Sequence, residues 1–500
     1  MNKWTLCILT LVVALLSGLG FENGKSDSKN PGTGYFPIPD TVDYPMRQST
    51  IDGYIKTENM AEIRRHGWNL FHGLQQSVKV DGIPGVNKLS VWQTWYSVTQ
   101  GFSATKAPIT KPAYTHLRQK RLEAPAEHMA FPSLAALNAA NSPVLDFQDV
   151  FDKQKPQYPN MCKSNGKQIQ CPDGTIFANN DDIMIAGEYF NWEAFNHLRG
   201  KGLYRQSVLS KMLEEGKTDI PTFPRKSIVL KSMHWPIAAD GTTALPVWDN
   251  DPLRPPYQYN GYEVWKRAVA VDPSGKPIPP AKTATVKSLF GVKVPGVDTP
   301  RTFSNAKVVP LSDFYHLRIT PELWGALDDN DKAILNQSAN WAYQRDFRPG
   351  DYIALIAFHI ITKENEPWCY QSFWWHDQPD VGPFAENRPN LPAGPWQNYL
   401  MTTAYNQVTP REYDGTEHVA YNPYIELVIH PMPTNCMNCH ARAGYPIKEK
   451  QLHPPDQTNF AAYDDSPSGR HEVLPNSPAL KGLLRTDYLW IITDRAIHDE

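Results

Sequence analysis

From Tyr352 to Ile361 both alternating sets of positions are hydrophobic, with His359 the one exception. A strand with one face in water alternates apolar and polar residues. One that is apolar on both faces predicts a central strand covered on both sides. The pattern breaks at Asn365-Glu366-Pro367 and resumes over Trp368 to His376, so the two runs predict an antiparallel hairpin. A third strand is expected over Tyr424 to His430. Upstream, short runs at Ser227 to His234, Leu245 to Trp248, Tyr262 to Val271 and Ser288 to Val294 are punctuated by Asp240-Gly241 and Pro273-Ser274-Gly275, which read as turns. Helical spacing appears at Met60, Ile63, Gly67, Phe71 and Leu74, with Asn59 as cap and Glu62 three residues on. A short strand over 183–189 leads to a helix presenting Trp192, Phe195 and Leu198, and then to a second around Val208, Leu209, Met212 and Leu213. Thr320 with Pro321 opens another helix, Asp331 to Gln344 continues as one more, and Tyr488 to Thr493 returns as a last strand or helix.

These elements predict an α+β fold, a strand-rich antiparallel sheet or sandwich with flanking helices. Four regions are expected. Residues 1–20 form a signal peptide: Lys3, an apolar run from Leu6 to Leu16, then Ser17-Gly18-Leu19-Gly20 before a cleavage point. Uncleaved, the same run is nearly long enough to anchor. Residues 21–55 are a linker or arm, 56–225 a mixed helical N-terminal region, and 226–500 a strand-rich region. No later segment has the apolar length of a membrane-spanning helix, so no membrane span is expected after cleavage.

Composition changes the picture little. A net charge of −3 over 500 residues gives no electrostatic footprint for nucleic acid or a membrane surface. With 45 Pro, 30 Gly, 15 Trp, 23 Tyr and 19 Phe, the chain is loop-rich and its rings supply much of the buried surface.

The cysteines carry the chemistry. Cys436-Met437-Asn438-Cys439-His440 is a C-x-x-C-H motif, the attachment pattern of haem c. Two thiols three positions apart can add to two vinyl groups on one porphyrin edge, and the adjacent histidine ligates iron. Cys436 and Cys439 are therefore the expected thioether anchors and His440 the proximal ligand. A structural zinc site needs four ligands in two clusters, and no second C-x-x-C or H-x3-H exists in the chain. A thioredoxin-like site needs a βαβ frame, which Pro431 and Pro433 argue against. Cys162 and Cys171 flank an Asn165-Gly166 turn, so a hairpin and a disulfide are expected there. Strict two-residue-turn pairing leaves the two offset by two positions, and the bond then needs a bulge or looser turn. Cys369 is expected as buried core filler.

The motif, the hairpin Phe358 to His376 (FHIITKENEPWCYQSFWWH) and the approach Asn422 to Pro446 (NPYIELVIHPMPTNCMNCHARAGYP) together resemble a group of large exported bacterial mono-haem cytochrome c family proteins, over residues 230–490. The resemblance implies haem c, export to the periplasm or beyond, and redox work, with Cys436, Cys439 and His440 matching the attachment motif. It implies no particular substrate. The chain departs from the small all-helical cytochromes: its motif lies late, and no methionine follows His440. The haem is therefore expected to dock near the C-terminus against the strand-rich portion.

For the sixth iron position a strand histidine is favoured, because its ring nitrogens need partners. His359 is the first candidate, with His376 and His234 behind it. Met401 and Met233 are the methionine alternatives, and an open position is the remaining one. His66 and His72, six residues apart on one helix, lie roughly 240° apart around its axis and cannot share a metal. Trp374-Trp375-His376-Asp377, Glu417-His418 and His234-Trp235 are weaker acid/base candidates, and Asp249 to Asp251 is too sparse for a calcium loop. Three functional classes follow: an electron-transfer protein with a periplasmic redox partner, a haem-c oxidoreductase of peroxidase or oxygenase type acting on a small organic substrate, and an exported binding module with structural haem.

Overall fold

The computed structural model describes residues 34–83, 85–109, 111, 161–164, 167–170, 185–248, 265–290, 300–327, 329–391, 394–405, 420, 422–425, 436–446 and 480–499. Residues 1–20, expected as a signal peptide, Cys171, Asp249 to Asp251, Glu417-His418 and residues 426–430 lie outside these. The architecture is mixed α+β, rich in antiparallel strands.

After an arm that packs Tyr35 against Trp95 and Tyr96, α1 (Gln48–Lys56) and α2 (Met60–Leu74) lead to the hairpin β1 (Ser77–Ile83) and β2 (Val86–Ser90). The expected cap is present. Asn59 Oδ1 accepts from the Glu62 N–H at 3.3 Å, a contribution of about 1 kcal/mol. Then come β3 (Tyr96–Ser97), the hairpin β4 (Met161–Ser164) and β5 (Lys167–Gln170), and β6 (Ile185–Phe190). Helices α3 (Trp192–Gly200) and α4 (Gln206–Glu214) follow, then β7 (Ile228–Ile237), β8 (Thr243–Val247), β9 (Arg267–Asp272), β10 (Thr283–Ser288), β11 (Arg301–Pro310) and β12 (His316–Arg318). Helices α5 (Pro321–Ala326) and α6 (Asp329–Tyr343) precede β13 (Tyr352–Thr362), β14 (Cys369–Trp375) and β15 (Tyr399–Tyr405). The chain closes with α7 (Cys436–His440), β16 (Gly444–Tyr445), β17 (Leu484–Arg485) and α8 (Trp490–Arg495).

A seven-stranded antiparallel sheet, ordered β15-β14-β13-β7-β6-β3 with β12 on the far end of β13, is the core. Central β13 pairs with β7 on one side and β14 on the other. Both its edges are hydrogen-bonded and both its faces covered, which is why its sequence is apolar throughout. Since β3 and β6 complete the same sheet, residues 56–225 and 226–500 share it. The second sheet, β10-β11-β9-β8, contains one parallel pair, β11 with β9.

Two strand expectations are corrected, and the expected hairpin is present. The strand expected to begin at Ser288 ends there, because β10 is an edge strand whose outward positions Thr283 and Lys287 are exposed and only alternate residues are apolar. The neighbour of β14 is β15 rather than Tyr424 to His430: Tyr424 and Ile425 form a turn. In the β4–β5 hairpin Ser164 pairs with Lys167 and Cys162 with Ile169, the strict two-residue-turn register. Cys162 and Cys171 are thus offset by two positions, and a bond between them is an expectation only.

Cys369 is fully buried beside Ile51, Ile63 and Tyr405. Burial, and then the Glu364 carboxylate, push its thiol well above the usual range, so it stays protonated and unreactive. Among the described residues no helix is long and apolar enough to cross a membrane.

Candidate haem site

The attachment motif forms one helical turn, α7, continued by Ala441 N–H to Met437 O at 2.9 Å. Met437 is buried and belongs to one apolar cluster with Val229, Ile361, Tyr370 and Ala404. Those four are register partners across β7, β13, β14 and β15. They mark the face of the large sheet on which α7 lies. The other face packs against α2: Phe71 stacks on Phe373 with centroids 4.3 Å apart and meets Phe358 at 6.2 Å. Gly67 of α2 sits there because a Cβ would come within 3.0 Å of Gln371 and 3.2 Å of Met401 Sδ.

His440 is held by its ring and by one nitrogen. Its ring packs on Tyr370 at 4.7 Å between centroids, and its Nδ1 lies 2.6 Å from the carbonyl oxygen of Tyr488. A carbonyl only accepts, so the proton is on Nδ1 and Nε2 carries the basic lone pair. Metal-binding imidazoles make this outer bond, which fixes the tautomer and raises ligand basicity. Cys436 is partly exposed, its Sγ 3.6 Å from Ala420 O. Two residues on, buried Asn422 donates to Ser372 Oγ at 3.0 Å and Phe373 O at 2.8 Å, which ties this segment to the same sheet face. Cys439 completes the turn, its side chain lying outside the described atoms. Porphyrin iron needs one or two protein ligands, whereas zinc needs four. Among the described residues no three His, Cys, Asp or Glu side chains form a group that could hold a metal on its own.

Next to this turn a polar row crosses the sheet. Glu188 pairs with Lys231, Lys231 with His359, His359 with Ser372 and Ser372 with Thr402, one residue from each of five adjacent strands. Every residue of β6, β7, β13, β14 and β15 is buried except the strand-end Tyr352 and three members of this row, Glu188, Lys231 and His359. Alternation places the row on the same face as Tyr370 and hence as His440. One end of that face is covered by the cluster containing Met437 and the other by elements around Trp235 and Phe290, whose rings lie 4.1 Å apart. The partly exposed row lies between them.

His359, expected to be buried, is partly exposed as a residue, while its Nε2 is buried. It is two residue pairs along β13 from Ile361, the cross-strand partner of Tyr370. The fallback ligands fare worse. His376 has both nitrogens engaged, Nε2 with Trp248 O at 3.1 Å and Nδ1 accepting from Gln378 N–H at 3.0 Å. His234 falls, by alternation with Leu230 and Ser232, on the α2 side of the sheet, as does Met401. Met233 is on the α7 face, two pairs beyond Lys231 and farther from Tyr370. His66 is a core residue engaged away from the α7 turn: Nδ1 lies 2.7 Å from Tyr405 OH, and Nε2, which makes no hydrogen bond among the described residues, lies 3.3 Å from the Glu364 carboxyl. Asp377, beside His376, is engaged by Arg267 at 2.8 Å and Lys307 at 3.6 Å, which makes the pair part of a surface-linked ion network.

Sequence reasoning missed Glu188 and Lys231. Their signal was present: each is a lone charge in an otherwise apolar strand, at IAGEYF and IVLKSMHW. No family model, curated protein or solved structure matches the chain.

Proposed function

We propose that this chain is an exported c-type cytochrome carrying one haem on Cys436, Cys439 and His440, and that it works in electron transfer. The observation that carries the reading is the Nδ1 contact of His440 with the Tyr488 carbonyl, which leaves Nε2 as the basic nitrogen in a helical turn that also holds both motif cysteines. The haem, when bound, supplies a one-electron redox couple. The chain's own residues do the rest. Tyr370 and Tyr488 orient the imidazole, Asn422 fixes the segment next to Cys436, and the apolar cluster around Met437 keeps water from that side.

The direct test is acid-acetone extraction. Haem is expected to stay with the polypeptide, since thioethers survive the treatment; extraction of intact haem from the wild type overturns the reading.

A haem-c oxidoreductase acting on a small organic substrate is the second reading, favoured by the partly exposed row Glu188, Lys231 and His359 beside the attachment turn. The spectrum with and without carbon monoxide separates the two. For the carrier, His359 is the expected sixth ligand: a low-spin ferric spectrum with no methionine charge-transfer band, converted to a carbon-monoxide-binding form in His359→Ala. A wild type that is already high-spin and binds carbon monoxide favours the enzyme, and an unchanged low-spin spectrum in His359→Ala removes His359 from the ligand set.

A further inference from the structure

The carbonyl that meets His440 belongs to an unusual piece of backbone. Asp487 has φ 50° and Tyr488 φ 64°, two consecutive non-glycine residues in the left-handed region. Such conformations are strained for residues with a Cβ and persist only where the surroundings impose them. Here the surroundings do so from both sides. Upstream, β17 pairs with β16, and Thr486 N–H bonds Ala443 O at 3.2 Å, three residues from His440 itself. Downstream, Leu489 N–H returns to Thr486 O at 3.0 Å and Thr486 Oγ1 donates to Leu489 O at 2.9 Å.

The remaining restraint is electrostatic. The Asp487 carboxylate accepts from Lys363 Nζ at 2.5 Å on one oxygen and from the Phe223 N–H at 2.9 Å on the other. Lys363 sits in the β13–β14 loop, its side chain 3% exposed, and also donates to Glu366 O at 2.5 Å. A lysine this buried is held by its partners. Its stem reaches from the sheet that carries Tyr370 to the turn that carries the Tyr488 carbonyl, and Tyr370 OH lies 3.5 Å from that same carbonyl oxygen. The sheet therefore controls both the surface under the imidazole and the acceptor at its edge.

We infer that Lys363 and Asp487 are positioning residues, a buried ion-pair clamp that holds the left-handed Asp487–Tyr488 turn so that its carbonyl is aimed at His440 Nδ1. The inference rests on the haem reading above. A hydrogen-bonded imidazole is the stronger donor and favours ferric iron, so loosening the clamp raises the midpoint potential. A tenfold loss of ferric over ferrous preference corresponds to about 59 mV for one electron.

The experiment measures midpoint potential and thermal stability of the purified holoprotein for the wild type, Asp487→Ala and Asp487→Asn. Both variants leave Lys363 without its counter-charge, and both are expected to lose stability. Asparagine tolerates the left-handed region and its amide oxygen can keep the Phe223 bond but not the ion pair, so Asp487→Ala is expected to raise the potential by the tenfold equivalent and Asp487→Asn by less. If Asp487→Ala cannot be recovered with haem, Asp487→Gly removes the carboxylate and both its bonds without a strained Cβ, and the same rise is expected. An Asp487→Ala or Asp487→Gly protein that loses stability at an unchanged potential makes the pair merely structural and overturns the clamp. A wild type without covalent haem overturns the underlying reading instead, so the two failures are distinguishable.

Discussion

Replacing Cys436 and Cys439 together by alanine is expected to give a folded chain that carries no covalent haem, the largest functional effect of any substitution in this protein. The comparison is made by intact mass and by absorption after acid-acetone treatment. Folding should survive. Cys436 is partly exposed, with its thiol 3.6 Å from Ala420 O, and the core that holds α7 in place is built by Met437 and by the sheet beneath it. Loss of a few methyl-sized contacts at such a site costs about 1 kcal/mol or less. A double variant that retains covalently attached haem would refute the assignment of the motif. His440→Ala separates attachment from ligation, because both thioethers can still form while the fixed Nε2 is gone. Its expected signature is covalent haem with an altered ferric spectrum.

The largest effect on stability is expected far from the haem motif, at Asp351. Its buried carboxylate accepts two bonds from Arg345, at 2.6 and 2.9 Å, and one each from the Ala239 N–H at 2.8 Å, the Arg348 N–H at 2.9 Å and Tyr343 OH at 3.0 Å. One side chain thus joins the loop after β7, the end of α6 and the start of β13. Truncation leaves two backbone donors without their acceptor and a guanidinium, one-fifth exposed, that keeps only Asp240 and the Asp346 carbonyl. Breaking a buried pair in this way costs about 3–5 kcal/mol, and Asp351→Ala should lower the denaturant midpoint accordingly with an unchanged m value.

The pH dependence at Asp351 has a definite sign. Burial opposes ionisation, but Arg345 and the two N–H donors outweigh it and hold the carboxyl below its usual value. A lowered folded-state pKa means the unfolded chain binds the proton first. The stabilisation is therefore complete above the unfolded value of about 3.9 and is lost as pH falls through the lower folded value. Thermal midpoints measured downward from about pH 5 should drop steeply in the wild type and less so in Asp351→Asn. Parallel slopes would mean that other carboxylates, such as Asp377 beside Arg267, carry the acid sensitivity.

Much of the fold was legible because its signals are local. Asn59 with Glu62 marks the start of α2, and the Asn165-Gly166 pair implies the hairpin register with Cys162 opposite Ile169. The Trp192, Phe195 and Leu198 stripe is α3, and the bilateral apolar run is β13. What escaped was edge structure. β15 reads YLMTTAY, where adjacent threonines obscure the alternation, and its place is set only by pairing with β14. β10 was displaced for the same reason: an edge strand buries every second residue, so a run of continuous apolar residues is the wrong signal for it.

By itself the sequence carries the proposal of haem attachment, because C-x-x-C-H is a local constraint: spacing within one helical turn is enough to bring both cysteine positions and the histidine to one side. It also determined that β13 is central, since only a strand covered on both faces can be apolar on both. The tertiary structure alone decided which histidine shares a face with His440. His359, His376 and His234 all lie on or at the end of sheet strands, but strand alternation places His234 on the far side, and His376 has spent both ring nitrogens on Trp248 and Gln378. It alone supplied the acceptor for His440, a carbonyl 48 residues along the chain aimed by two left-handed residues and a buried lysine. The physical reason is common to these cases. A face, a register or an acceptor is a relation between segments distant in sequence, and no periodicity within one segment encodes it.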